Sequence, residues 1–149
     1  MRRRPGGGGS ALLAALSAVL LATCGSAHAE TWVQAGGFSR HLGADREFRE
    51  THPGAGVLWR PGGTWEYTAG FYRNSLNRTT VYAGAVWRGL GPCGVLLGAA
   101  TGYEGLPVVP LALPTCGAQW GPVGLDVIAA PPVGANPALV AVTFRVRWK

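Results

Sequence analysis

The chain has 149 residues, of which 48% are hydrophobic, with 24 glycines and a formal net charge of +6 from 13 Lys+Arg against 7 Asp+Glu. Arg2, Arg3 and Arg4 belong to a leader with no acid before Glu30, so removing it leaves 10 basic against 7 acidic residues, a net of +3. The other arginines alternate with acidic and apolar residues and make no basic stripe, which excludes nucleic-acid binding as the reading of the charge. No metal-ligand spacing, phosphate-binding loop or paired-carboxylate motif is present.

The chain opens with the three arginines, a glycine-rich patch, the apolar run ALLAALSAVLLA and the small-x-small sequence AHA. That is the plan of a secretory signal, too short for a membrane helix, and we place cleavage after Ala29. A rival is LATC, ending at Cys24, which resembles a lipoprotein box but carries Thr23 before the cysteine. Export delivers the mature domain, residues 30–149, to an oxidising compartment with Cys93 and Cys116 as an even pair.

From there the sequence alternates, with turn residues at short intervals. Eight segments are predicted as strands, at 31–41, 54–60, 64–73, 79–88, 93–103, 107–117, 123–130 and 138–148. In the last, Val140, Val142, Phe144, Val146 and Trp148 share one face, while Ala141, Thr143, Arg145 and Arg147 share the other. Tight connectors (PGG, GLGP, WGP) alternate with longer ones, and aromatics collect near the segment ends. This predicts an all-β fold, an eight-stranded antiparallel up-and-down transmembrane β-barrel. A soluble sandwich or lipocalin-like barrel shows the same alternation with the faces exchanged. The small residues opposite the apolar face favour the membrane form, because they fill a narrow interior.

Pro107, Pro110 and Pro114 fall in the sixth segment. Proline cannot donate to a ladder, so local gaps between strands are expected there. A hairpin of segments five and six turning at Glu104 and Gly105 sets Cys93 opposite Cys116, within reach of a cross-strand disulfide; two unpaired thiols are the alternative.

Threaded from a periplasmic N-terminus, the barrel carries His41, Asn74 and Ser75 to its outer rim. A histidine near a serine is the minimal apparatus for acyl chemistry, since the imidazole takes and returns the hydroxyl proton. Asn74 or Glu50 is the candidate to orient the ring, and His52, beside Pro53, reads as a loop residue. Arg40, Arg46, Arg49, Arg73 and Arg78 gather at the same rim, either as a solvated face or as an attraction for lipopolysaccharide phosphates.

Four stretches, FRETHPGAG (48–56), FYRNSLNR (71–78), AGAVW (83–87) and GYEGLPVVPLALPTCGAQWGPV (102–123), together resemble the outer-membrane lipid A palmitoyltransferases over roughly the last hundred residues. The resemblance implies an outer-membrane acyltransferase that moves a phospholipid acyl chain to lipid A, acting without cofactor or nucleic acid and as a monomer. It implies catalytic roles for His41, Asn74 and Ser75, and a lipid gate beside Pro107, Pro110 and Pro114. It also implies an acyl-pocket floor at Val86, bulkier than in the family and so suited to a chain shorter than palmitate. Asn74 stands where the family has aspartate, the first outer loop is short, and the family's leading amphipathic helix is missing. These departures keep two alternatives open: a lipid A deacylase or phospholipase-type hydrolase using the same residues, and a non-catalytic structural barrel.

Overall fold

The structure, a computed structural model, describes residues 29–45, 47–132 and 137–148. The expected leader, Arg46 and part of the last long connection lie outside the described residues. Eight strands follow one another: β1 (Glu30–Leu42), β2 (Thr51–Arg60), β3 (Trp65–Arg73), β4 (Thr79–Leu90), β5 (Cys93–Thr101), β6 (Val108–Trp120), β7 (Val123–Ala130) and β8 (Ala138–Arg147). Each pairs antiparallel with its chain neighbours, and β1 pairs with β8, so the sheet closes as an up-and-down barrel.

Closure hides every edge and leaves two faces to fill. The outward face carries Val33, Phe38, Trp65, Phe71, Trp87, Leu97, Trp120, Val140, Phe144 and Val146, all exposed. The inward face carries Glu66, Asp126 and Arg145, all buried. The barrel thus turns large apolar side chains outward and buries charged ones inside.

At the end of the tight turns the interior is closed by a network of ions. Glu66 accepts from Arg60 at 2.6 Å and from Arg88 at 3.1 Å; Asp126 accepts from Arg88 at 2.6 Å and from Arg145 at 2.7 Å. Trp32 lies under the guanidinium groups of Arg60, Arg145 and Arg147, 5.0–5.8 Å from the ring centre. Buried charges persist only where each is answered, and here carboxylates and guanidinium groups alternate across the barrel.

Two irregularities set the shape of the other half. First, the β6–β7 ladder ends at the Thr115–Ile128 pair, while β6 remains paired with β5 as far as the Thr101–Val108 pair. Residues 108–114 of β6 are therefore unpaired on the β7 side among the described residues. Pro110 and Pro114 lie in this stretch, which is the gap expected from their missing donors. Second, β1 slips register between Ala35 and Gly37 against both of its neighbours. Cys93 faces Cys116 in register and the two form a disulfide, S–S 2.10 Å.

Candidate active site

Above the ionic network lies a cavity of about 180 Å³, lined from Arg88 and Asp126 of that network to Ser75 and Tyr103 at the end of the long connections. Leu58, Val86, Leu96, Leu111, Leu113 and Ile128 give it an apolar wall, and Val86 is buried near its base. Leu111, Leu113, Thr115 and Ile128 flank the β6–β7 gap, so the apolar space reaches the side of the barrel where the β6–β7 ladder stops short. Facing glycines keep the middle open. Gly56 pairs with Gly70, and a Cβ on Gly56 would run into the hydroxyl of Tyr82.

Polar groups crown the cavity. Gln34 Oε1 accepts from Thr68 Oγ1 at 2.6 Å and from the Tyr82 hydroxyl at 3.0 Å. With its oxygen so occupied, the amide must present its N–H donors elsewhere. The hydroxyls of Tyr72 and Tyr103 meet at 2.6 Å.

At the mouth, Ser39 Oγ lies 2.6 Å from His52 Nε2, and His52 Nδ1 lies 2.9 Å from the carbonyl oxygen of Arg73. In the neutral ring these two contacts fix the tautomer. A carbonyl only accepts, so Nδ1 carries the proton; Nε2 is then the acceptor and the Ser39 hydroxyl the donor. This is the geometry of a hydroxyl nucleophile beside its general base, with a neutral backbone oxygen orienting the ring where a triad has a carboxylate. Ser39 is only 7% exposed.

The β1 irregularity aims that serine. Trp32 and Gln34 point inward, and strict alternation would next turn Phe38 inward. With the slip at Gly36 and Gly37, Phe38 is 54% exposed on the outer face and Ser39 is buried. Only glycine fits the slip: a Cβ on Gly36 would strike the His52 carbonyl, and one on Gly37 the carbonyl of Val142.

Among the described residues, His41, Asn74 and Ser75 stand at the rim, in differing company. Ser75 lines the same cavity as Ser39 and His52. His41 lies at the end of β1, its ring stacked on Phe48 at 4.0 Å. Asn74 is fully buried, and its side chain is committed to the loop: Oδ1 accepts from the N–H groups of Leu76 and Arg78, and Nδ2 donates to Thr80 Oγ1 and the Gly102 carbonyl. It has no donor or acceptor left for a histidine. His52, expected in a loop, stands within β2, inward and opposite Gly37. The Ser39–His52 pair was missed because its sequence signal is the Gly36–Gly37 doublet, which marks a bulge only once both neighbouring registers are known. Compared with known proteins, the chain matches no family model and no curated sequence.

Proposed function

We propose that this protein is a bacterial outer-membrane barrel enzyme that transfers an acyl chain from a phospholipid to lipid A or a related lipid. Its relation to the lipid A palmitoyltransferases is part of the same proposal, carried by the sequence stretches quoted above. The observation that bears most weight is the Ser39–His52 hydrogen bond at the mouth of an apolar cavity. The outward apolar surface, with tryptophans near the tight-turn end, supports residence in a bilayer.

In the proposed reaction, the donor's acyl chain enters the cavity, by way of the β6–β7 gap beside Pro110 and Pro114, with Val86 at its floor. Ser39 Oγ attacks the ester carbonyl while its proton passes to His52 Nε2, and the Arg73 carbonyl holds the Nδ1–H of the imidazolium. The tetrahedral intermediate collapses, the carbon–oxygen bond to the lysolipid breaks, and the leaving oxygen takes the proton from Nε2. An acceptor hydroxyl then gives its proton to His52 Nε2 as it attacks the acyl-serine; the carbon–oxygen bond to Ser39 breaks, and Ser39 Oγ takes the proton back from Nε2. Because the orienting group is a neutral carbonyl, stabilisation of the imidazolium is weaker than in a carboxylate triad.

Mass spectrometry of lipid A from cells with and without the protein tests this directly. A gain of one acyl mass is expected, lost in Ser39→Ala and His52→Ala by a factor on the order of 10²–10⁴. A loss of acyl mass would replace transfer by hydrolysis, and full activity in Ser39→Ala would remove the dyad from the mechanism. Ser75→Ala and His41→Ala belong in the same experiment, since both residues stand at this rim.

A further inference from the structure

We propose that the deep end of the cavity is built to receive a hydroxyl group, so that the protein prefers an acyl chain hydroxylated at its far end over the unsubstituted chain of the same length. The inference rests on the acyl-lipid reading above and names the class of chain that the cavity takes.

The group that carries it is the Gln34 amide. Gln34 lines the cavity together with Thr68 and Tyr82, whose hydroxyls donate to its oxygen at 2.6 Å and 3.0 Å. Its Nε2 has no hydrogen-bond partner among the described residues. The charged groups at the same depth are answered. Arg88 donates through Nε to Glu66, through Nη1 to the Pro92 carbonyl and through Nη2 to Asp126, and the second Asp126 oxygen accepts from Arg145. The amide of Gln34 is therefore an open donor in a space whose other wall is Val86, Leu96, Leu111 and Leu113.

Register sets its depth. Gln34 pairs with Arg145 and Val86 pairs with Glu66, so amide and floor both stand directly against the ionic network. Ser39 lies further along β1, beyond the slip at Gly36 and Gly37 and about 15 Å of strand away. A chain whose carbonyl is at Ser39 thus brings its far end to the amide.

An unsubstituted chain that fills this end strips water from two N–H groups and offers them no acceptor, which is costly. Sites built to bond a hydroxyl reject the analogue that lacks it for this reason. Thr68 and Tyr82 give their protons to Gln34 and keep oxygen lone pairs free to accept. Donors on Nε2 beside acceptors on two hydroxyls match a group that both accepts and donates. A hydroxyl does both; a carbonyl or an ether uses half of the set.

The test is binding to Ser39→Ala protein in neutral detergent micelles, so that turnover plays no part. The probes are two lysophosphatidylcholines, one ω-hydroxydecanoyl and one decanoyl, which differ only in the terminal hydroxyl and whose head group is too large to enter the cavity reversed. After correction for micelle partitioning, the hydroxylated lipid should bind about tenfold tighter, the order of a hydrogen bond made where a buried donor is otherwise left unpaired. Gln34→Leu should remove the preference and strengthen binding of the plain lipid, a gain that damage to the barrel does not produce. The side-chain amide resonance of Gln34 gives a readout on the unsubstituted position: it should shift with the hydroxylated lipid far more than with the plain one. Equal binding of the two lipids, an amide resonance indifferent to the hydroxyl, or an undiminished preference in Gln34→Leu overturns the proposal. Failure of the enzyme reading would show separately, as lipid A acylation unchanged by Ser39→Ala while the binding ratio stands.

Discussion

An asparagine amide offers two donors and an oxygen with two lone pairs, and Asn74 uses all four. Its oxygen closes the turn onto Leu76 and Arg78, and its nitrogen fastens the turn to Thr80 and Gly102. Aspartate fills the same volume and can serve the turn, but it cannot donate to a carbonyl. Asn74→Asp would therefore set a buried carboxylate against the Gly102 oxygen, with an expected loss of about 3 kcal/mol, the order of an unsatisfied buried pair that includes a charge. Urea unfolding of the refolded barrel reads this; a change under about 1 kcal/mol would mean the loop does not depend on Nδ2. The sequence places Asn74 and Ser75 at the rim, because that follows from counting strands. The task of the asparagine stays hidden, because its partners come from β4 and the connection after β5, and only the three-dimensional register brings them together.

Among the elements, β1 was the hardest to read. The eight segments and their order follow from alternation and turn residues, and the facing of Cys93 and Cys116 follows from one hairpin turn. In β1, by contrast, the inward set changes parity partway, from Trp32 to Ser39, and no single alternation fits both. What permits the change is a pair of residues without side chains, where each missing Cβ is replaced by a neighbour's carbonyl. Gly36→Val should consequently push β1 from β2 at the level of His52 and part Ser39 from Nε2. A displacement of about 1 Å at a reacting group costs on the order of 10²-fold in rate, so acylation should fall to near the level of His52→Ala while the barrel still assembles. Nitrogen NMR of the imidazole supplies a check apart from activity: Nε2 should lose the signature of an accepted hydrogen bond, while Nδ1 stays protonated against the Arg73 carbonyl. A Gly36→Val protein with full activity and an unchanged Nε2 signal would dissociate the bulge from the site.

Across the whole molecule, what decides inside from outside is charge more than greasiness. Apolar faces alone fit a lipocalin-like barrel and a membrane barrel equally well, and the small residues opposite them were the sequence's best hint. The structure adds that Glu66, Arg88, Asp126 and Arg145 meet inside, Arg88 of β4 reaching Asp126 of β7 across the barrel. Such pairing joins strands that are not neighbours, which is why it could not be read from alternation. Arg88 donates to both buried carboxylates, to Glu66 through Nε and to Asp126 through Nη2. Replacing it by methionine keeps most of the volume and strands two acids, each with a single guanidinium left. Removing one partner from a buried ion network costs about 3–5 kcal/mol, whereas Arg40→Gln, which breaks the exposed pair with Glu50, should cost about 1 kcal/mol at most. Urea unfolding in the same micelles compares the two. If Arg88→Met is no more harmful than Arg40→Gln, water reaches the network, and the cavity above it lacks the dry floor that the proposed acyl binding requires.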